Sequence, residues 1–348
     1  MEIIDVRLPL VPSIYVELTE KCNYKCRYCY NQSDVSKNRF ISFQDYCSFL
    51  DNAKMHGLKQ ITLSGGEPTL HPQFYDVLYE NHKAGIKQTI ITNGSTLDAR
   101  LCDALKRMDI NCNLTLDGGD CQTHNFYRGA GAYECLSDNL RLLREKNLLS
   151  QTNVRCNLTI KNHNQMIAMA EYLERYGVRQ FSFALIRAQG RGVDVDTISL
   201  PEMPNVQEKL KSSIRYIKDR INPNCSEHFA ELSNACPLSE MASSFNPRVD
   251  YLGDIYPCQI LSDKSFRLGN IANFQLALVN AIDMESMFKH RANIGSHCAR
   301  CAYYAMCKGG CVADNLPCDA SDAYRKMLCA MRKKSVWTQI NHKRGAIQ

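Results

Sequence analysis

Three cysteines crowd one stretch, ELTEKCNYKCRYCYNQ, as Cys22, Cys26 and Cys29 in C-x3-C-x2-C spacing. Thiolates bind soft metals, yet tetrahedral zinc and an all-cysteine four-iron cluster each take four ligands. Three ligands leave a cluster one position short, and an open position is what lets a metal bind a reactant. A zinc site completed elsewhere, or three unrelated thiols, would use the same residues differently. A second group lies downstream. Cys298, Cys301, Cys307 and Cys311 form C-x2-C-x5-C-x3-C; Cys236 and a G-x4-C from Gly253 to Cys258 precede it, and Cys318 and Cys329 follow. A lone C-x2-C reads as a zinc ribbon.

The chain holds 18 cysteines in 348 residues. No secretory signal opens the sequence, and no apolar run reaches the length of a membrane span. Both point to a cytoplasmic protein with no membrane partner, in which clustered cysteines bind metal instead of forming disulfides. The seven scattered cysteines (Cys47, Cys102, Cys112, Cys121, Cys135, Cys156, Cys225) read mostly as small buried hydrophobes. A net charge of +6, with only short basic runs at Arg332–Lys334 and Lys343–Arg344, reads as a solvated surface and not a nucleic-acid interface. Hydrophobic content of 45% and charged content of 22% are ordinary for a globular enzyme.

The elements that must position these residues alternate. Strands are expected at 13–18, 60–66, 87–94, 111–119, 153–160 and 179–186, and helices at 41–57, 73–85, 96–108, 132–147 and 164–177. Ser42 is the expected N-cap of the first helix, and Gly57 and Gly85 close the first two. Short strands separated by helices of ten or more residues predict parallel βαβ units. Six such units fall short of a full (β/α)8 barrel, so the expected fold is α/β, a partial (β/α)6 TIM-like barrel. The polar motifs share one place in it. The cysteine loop follows strand 1, SGGEP strand 2 and TNGS strand 3; LDGGD ends strand 4, and Asn157 sits in strand 5. Strand C-termini open on one rim, where barrel active sites form. After residue 187 the alternation stops, with a loop, a helix at 206–221 and then short glycine- and cysteine-rich elements. Such composition suggests a small domain held by metal more than by a core. The expected divisions are 1–12 lead, 13–190 barrel, 191–230 linker and bridging helix, 231–335 cysteine-rich domain and 336–348 tail.

CNYKCRYCY together with SGGEP resembles the radical S-adenosylmethionine (SAM) superfamily, whose loop carries an aromatic residue where Tyr28 stands. The resemblance covers roughly residues 13 to 187. It implies a [4Fe–4S] cluster on Cys22, Cys26 and Cys29, with SAM chelating the fourth iron. It also implies reductive cleavage to a 5′-deoxyadenosyl radical that abstracts hydrogen. Gly65, Gly66, Glu67 and Pro68 match the motif that meets the SAM amino group. Asn93, beside Gly94, falls where a TNG motif lies by the cofactor, Thr115, Asp117 and Asn157 are ribose candidates, and Arg128 is the candidate for the SAM carboxylate.

The later cysteines resemble the SPASM domain, which carries two auxiliary [4Fe–4S] clusters. The match assigns Cys236, Cys258 and Cys311 to the first, and Cys298, Cys301, Cys307 and Cys329 to the second, with Cys318 the alternative to Cys329. Sixteen residues separate Cys236 from Gly253, one beyond the family range, and no cysteine stands between Cys236 and Cys258. The first auxiliary cluster therefore keeps an open iron or recruits a residue such as Cys225. Cys225 and Cys318 are also hydrogen-donor candidates. In all, the resemblance implies three [4Fe–4S] clusters, SAM and a reducing partner such as flavodoxin or ferredoxin. The expected substrate is a peptide, with or without a separate leader-binding protein, receiving a crosslink, thioether, epimerisation or oxidation. The alternatives are a small-molecule dehydrogenase acting on a carbohydrate or other metabolite, a sulfatase-maturing enzyme and a non-catalytic electron carrier.

Overall fold

The computed structural model describes residues 8–186, 189–194, 203–227, 238, 241–289 and 300–302, with single residues at 304, 329, 330 and 333. β1 (Ser13–Thr19) begins the sheet, with Ile14, Val16 and Leu18 buried and Ser13 and Tyr15 half-buried between them. That is the two-residue period of a strand with one face in a core. α1 (Phe43–Met55) follows the cysteine loop. Ser42 caps it by accepting from the Asp45 N–H, and Tyr46, Phe49, Leu50 and Ala53 form its buried face. The pattern repeats through β2 (Gln60–Gly65), α2 (Phe74–Lys83), β3 (Lys87–Ile91), α3 (Ala99–Arg107), β4 (Asn111–Leu116), α4 (Cys121–Arg128), α5 (Ala132–Glu145), β5 (Thr152–Leu158), α6 (Met166–Tyr176), β6 (Gln180–Leu185) and α7 (Met203–Arg220).

β1 to β6 lie side by side in chain order, every pair parallel. This is the expected partial barrel, and its sheet is open. It also extends further than the six strands. β7 (Ser226–Glu227) adds parallel to β6 at one edge, and β8 (Arg248–Val249) adds parallel to β1 at the other. β9 (Asp254–Tyr256) and β10 (Gly269–Asn270) continue antiparallel from β8. α8 (Phe274–Lys289) returns to the barrel, where the Phe274 ring packs edge-on against Phe49, centroids 5.4 Å apart. Strands of two or three residues are too short to show alternation, which is why the sequence reading found none of the four. It also missed α4, despite the Asp120 cap whose side chain accepts from the Thr123 N–H.

The two faces of the sheet differ. Val16, Leu18, Ile61, Leu63, Ile90, Leu114, Leu116, Val154, Leu158 and Phe183 are at most 1% exposed and share one core with Phe49, Val77, Leu101, Leu140 and Leu173 of the helices. Their neighbours on the opposite face are polar. Arg248 stands beside Tyr15, Tyr15 beside Thr62 and Thr62 beside Thr89. Further along, Glu17 pairs with Ser64, Asn113 with Asn153, and Thr115 with Arg155 and then Ser182. A closed barrel fills this interior with branched apolar side chains; here it is a polar lumen.

Candidate functional site

The three-cysteine loop leaves β1 at the end of the lumen where the other strands also finish. Backbone bonds lash it to the β2 turn: Gly66 N–H donates to Thr19 O at 2.7 Å and Glu67 N–H to Lys21 O at 2.8 Å. A Cβ on Gly66 would collide with the Lys21 carbonyl, so glycine is required for this approach. On its other side Arg27 reaches α4, its N–H donating to Tyr127 O at 2.9 Å and its Nε to Phe126 O at 2.8 Å. Cys22 is buried, and Cys26 and Cys29 are half-buried. Burial pushes the Cys22 thiol up to about 12, and burial raises Cys26 while the Arg128 guanidinium pulls it back.

The donor set fits an iron–sulfur cluster. Cys22 Sγ accepts from the Tyr24 N–H at 3.4 Å and lies 3.7 Å from the Asn93 Nδ2 donor, and hydrogen bonds to sulfur are among the protein's controls on such clusters. Among the described residues, no three His, Cys, Asp or Glu side chains gather as ligands of a single ion. A cluster binds its cysteines at separate irons and does not need that convergence.

Glu67 is fully buried. Its carboxylate accepts from Thr69 Oγ1 and Thr92 Oγ1, both at 2.7 Å, from the Asn93 N–H at 2.7 Å and from the Thr69 N–H at 3.3 Å. Burial raises its pKa, and these donors pull it down. Glu67 thus ties the β3 turn to the β2 turn, while Pro68 starts the short helical turn that Glu67 caps. Gly65 takes a positive φ of 129°, and its carbonyl accepts from Asn31 Nδ2 at 3.4 Å.

Four other sequence candidates meet in one cluster. Tyr28 donates its hydroxyl to Asp117 Oδ2. Arg128 Nη1 lies 3.0 Å from the Tyr28 hydroxyl and 3.3 Å from Asp117 Oδ2. Asn157 Nδ2 donates to Asp117 Oδ1 at 3.0 Å. Asp117 is fully buried and Arg128 is 9% exposed. Two residues that the sequence reading passed over fix Asp117 from behind: its N–H donates to His124 Nδ1 at 3.0 Å, and its carbonyl accepts from Asn162 Nδ2 at 2.8 Å. The only signals were the Asp120 cap, which starts the helix bearing His124, and the polar KNHN turn after β5. Burial lowers the His124 pKa to about 4, so the ring is neutral and able to accept that bond. Thr115 stands half-buried on β4 beside Arg155, whose Nε donates to Asn157 Oδ1 at 3.2 Å.

The remaining candidates lie elsewhere. Cys225 is 3% exposed, in the core just before β7, at the sheet edge opposite the Cys258 segment. Cys258 is half-buried after β9 and packs against the core. Cys301 and Cys329 are half-buried. Cys236, Cys298, Cys307, Cys311 and Cys318 fall outside the described residues. None of the described cysteines is in a disulfide. Of the scattered seven, Cys102, Cys112, Cys156 and Cys225 are buried, Cys47 and Cys135 half-buried and Cys121 exposed. No described helix is long and apolar enough to cross a membrane.

The open parallel α/β barrel thus gathers at its strand ends three thiols, a glycine turn and a buried carboxylate–guanidinium group. Residues 16–173, a little under half of the chain, match the radical SAM superfamily model. The mycofactocin maturase MftC of Mycobacterium ulcerans is 25% identical over 95% of this chain and 93% of its own length. Two solved structures share the fold at 18% identity. SuiB of Streptococcus suis, bound to S-adenosylmethionine, has a TM-score of 0.70 over 88% of this chain and 74% of its own. The anSMEcpe structure with bound AdoMet and the Cp18Cys peptide has a TM-score of 0.72 over 98% of this chain and 100% of its own.

Proposed function

We propose that the protein is a peptide-modifying radical SAM enzyme, in which Cys22, Cys26 and Cys29 hold the SAM-cleaving cluster. The carrying observation is the convergence, over one polar lumen, of the three-cysteine loop with the Tyr28–Asp117–Arg128–Asn157 group. A [4Fe–4S] cluster with SAM at its open iron supplies reductive sulfonium cleavage and hydrogen-atom abstraction. The chain's residues position the reactants. Asn93 and the Tyr24 N–H hold the Cys22 sulfur. Arg128 would meet the SAM carboxylate, an ion pair that its guanidinium fork suits. The Glu67 carboxylate accepts from Thr69, Thr92 and Asn93 and so holds the TNG turn in place, and the Gly65–Pro68 turn it belongs to would meet the SAM amino group. Asp117 and Asn157 would meet the ribose, with Thr115 two residues before Asp117 on β4.

The substrate peptide lies in the open lumen, whose side-chain amides and hydroxyls suit a chain of amide groups. The maturase names among the relatives support a peptide over a carbohydrate or other small metabolite, and catalysis over a bare electron carrier. A SPASM-type domain with Cys236, Cys258 and Cys311 on one cluster and Cys298, Cys301, Cys307 and Cys329 on another would take up the substrate electron. A one-electron donor such as flavodoxin or ferredoxin supplies the first. The test incubates the anaerobically reconstituted enzyme with SAM, dithionite and any short peptides found encoded beside its gene, and follows peptide mass. A mass change that requires SAM supports the reading. Abundant SAM cleavage with every such peptide unchanged, and a sugar or other metabolite oxidised instead, overturns the peptide assignment. Iron analysis checks the cluster count, which is expected at about twelve irons, falling to about eight in the Cys22/Cys26/Cys29→Ala variant.

A further inference from the structure

The linker after β6 touches two cysteine-bearing segments at once. Gly190 has a φ of +57°, and a Cβ there would stand 2.7 Å from the Cys29 carbonyl oxygen and nearer still to that of Tyr30. Only glycine lets the linker backbone lie against the loop this closely. Arg191 then fastens the loop at three points. Its N–H donates to Cys29 O at 3.0 Å, its Nε to Cys26 O at 2.9 Å and its Nη2 to Ser33 O at 2.9 Å. Facing the other way, Gln189 Nε2 donates to Ile260 O at 3.1 Å and to Ser262 Oγ at 2.8 Å, just past Cys258.

We propose that Gln189–Gly190–Arg191 is a strap fixing the three-cysteine loop against the Cys258 segment, with Arg191 the positioning residue that sets the loop's shape and the reduction potential of a cluster bound in it. The rigid guanidinium fork holds two carbonyls at a geometry that a flexible ammonium does not reproduce. Its fixed charge beside the loop favours the more negative, reduced state of a cluster, since net local charge and hydrogen bonding set such potentials. The Gln189 bonds carry the same fixation to the Cys258 segment, so the separation of the two segments is built into three residues. The redox half of the proposal rests on the iron–sulfur reading; the mechanical half rests on these bonds alone.

Two measurements on the full chain test the halves separately. Amide hydrogen exchange in the metal-free protein reads the loop over residues 22–33. Arg191→Met is expected to speed exchange there about tenfold, the scale of a lost hydrogen bond to a charged donor. Unchanged protection overturns the strap. An EPR-monitored redox titration of the reconstituted protein reads the charge. At a fixed applied potential the Met variant is expected to show about a tenfold lower reduced-to-oxidised ratio, which is 59 mV for a one-electron couple. Arg191→Lys is expected to restore the potential and leave the loop exchanging fast, a split that a purely structural role would not give. Equal potentials in wild type and the Met variant overturn the charge role. A wild type that binds no cluster at the loop defeats the iron–sulfur reading and the redox half together, and the exchange result still decides the strap. If the Arg191 variants do not fold, Gln189→Ala decides: it is expected to loosen residues 258–262 and the loop together, and loosening on one side alone overturns the coupling.

Discussion

Two buried carboxylate–guanidinium pairs stand on the lumen side of this sheet, and they are built differently. Glu17 and Arg248 meet fork to fork, Nε to Oε1 at 2.9 Å and Nη2 to Oε2 at 2.8 Å, with side chains 0% and 5% exposed. Asp117 and Arg128 share a single contact of 3.3 Å, and Asp117 also takes donors from Tyr28 and Asn157. The first pair joins β8 to β1; among the described residues its one further hydrogen-bond partner is the Tyr30 hydroxyl, 2.9 Å from Glu17 Oε1, and the Arg248 guanidinium also stands over the Tyr256 ring. Bidentate geometry gives it strength and leaves it little freedom to rearrange. The rim pair is looser and part of a network, so it can exchange partners when a ligand arrives. The first pair belongs to the fold and the second to the candidate site.

The difference is exposed by substitution. Arg248→Met leaves Glu17 buried with the Tyr30 hydroxyl as its remaining donor, and is expected to cost about 3–5 kcal/mol in denaturant unfolding. Adding Glu17→Leu should recover much of that loss; no recovery would mean that the cost is lost packing. Arg128→Met leaves Asp117 with two donors, so a smaller loss is expected, about 1–3 kcal/mol, alongside SAM binding weakened at least tenfold by calorimetry. Equal stability losses at the two positions would erase the distinction drawn here.

Acid provides the next contrast. The His124 pKa is lowered to about 4, below its ordinary 6.5, so the unfolded chain binds the extra proton first. Its contribution is therefore complete above about 6.5 and is lost as pH falls toward 4, by on the order of 3 kcal/mol, and the rim loosens with it. His124→Gln should flatten that part of the stability–pH profile; an unchanged slope would remove His124 as its source. The smallest effect lies at the start of the cysteine loop, where an exposed Arg39 meets the buried Glu20. There the Arg39 hydrogen bond lowers the Glu20 pKa to about 2. That contribution is present above the ordinary 4.5 and is lost only as pH falls toward 2, and Arg39→Ala should cost under about 1 kcal/mol at neutral pH.

The sequence showed some of this and concealed the rest for physical reasons. The six barrel strands and their helices were legible because each carries a long run of period-two or period-three-to-four burial, as in Ile14, Val16 and Leu18 or Tyr46, Phe49 and Leu50. The rim motifs were legible because glycine turns and clustered thiols are uncommon outside sites. The edge strands were not, because Arg248–Val249 and Ser226–Glu227 have two residues each and are specified by their partners. The Glu17–Arg248 pair joins positions 231 apart in the chain, and nothing local announces it. His124, Asn162 and Arg191 act through backbone atoms of other residues, so their side chains carry no motif of their own. Nor does the motif announce that the Glu67 carboxylate accepts from Thr69, Thr92 and Asn93 and so joins two turns of the rim.

The central claim is that the rim assembles a SAM-cleaving centre on Cys22, Cys26 and Cys29. The most direct measurement is 5′-deoxyadenosine formation from SAM under dithionite, by the reconstituted wild type and by the Cys22/Cys26/Cys29→Ala variant. The account predicts steady formation by the wild type and none above background by the variant. Equal formation by both, or none by a wild type that retains its full iron, would contradict it.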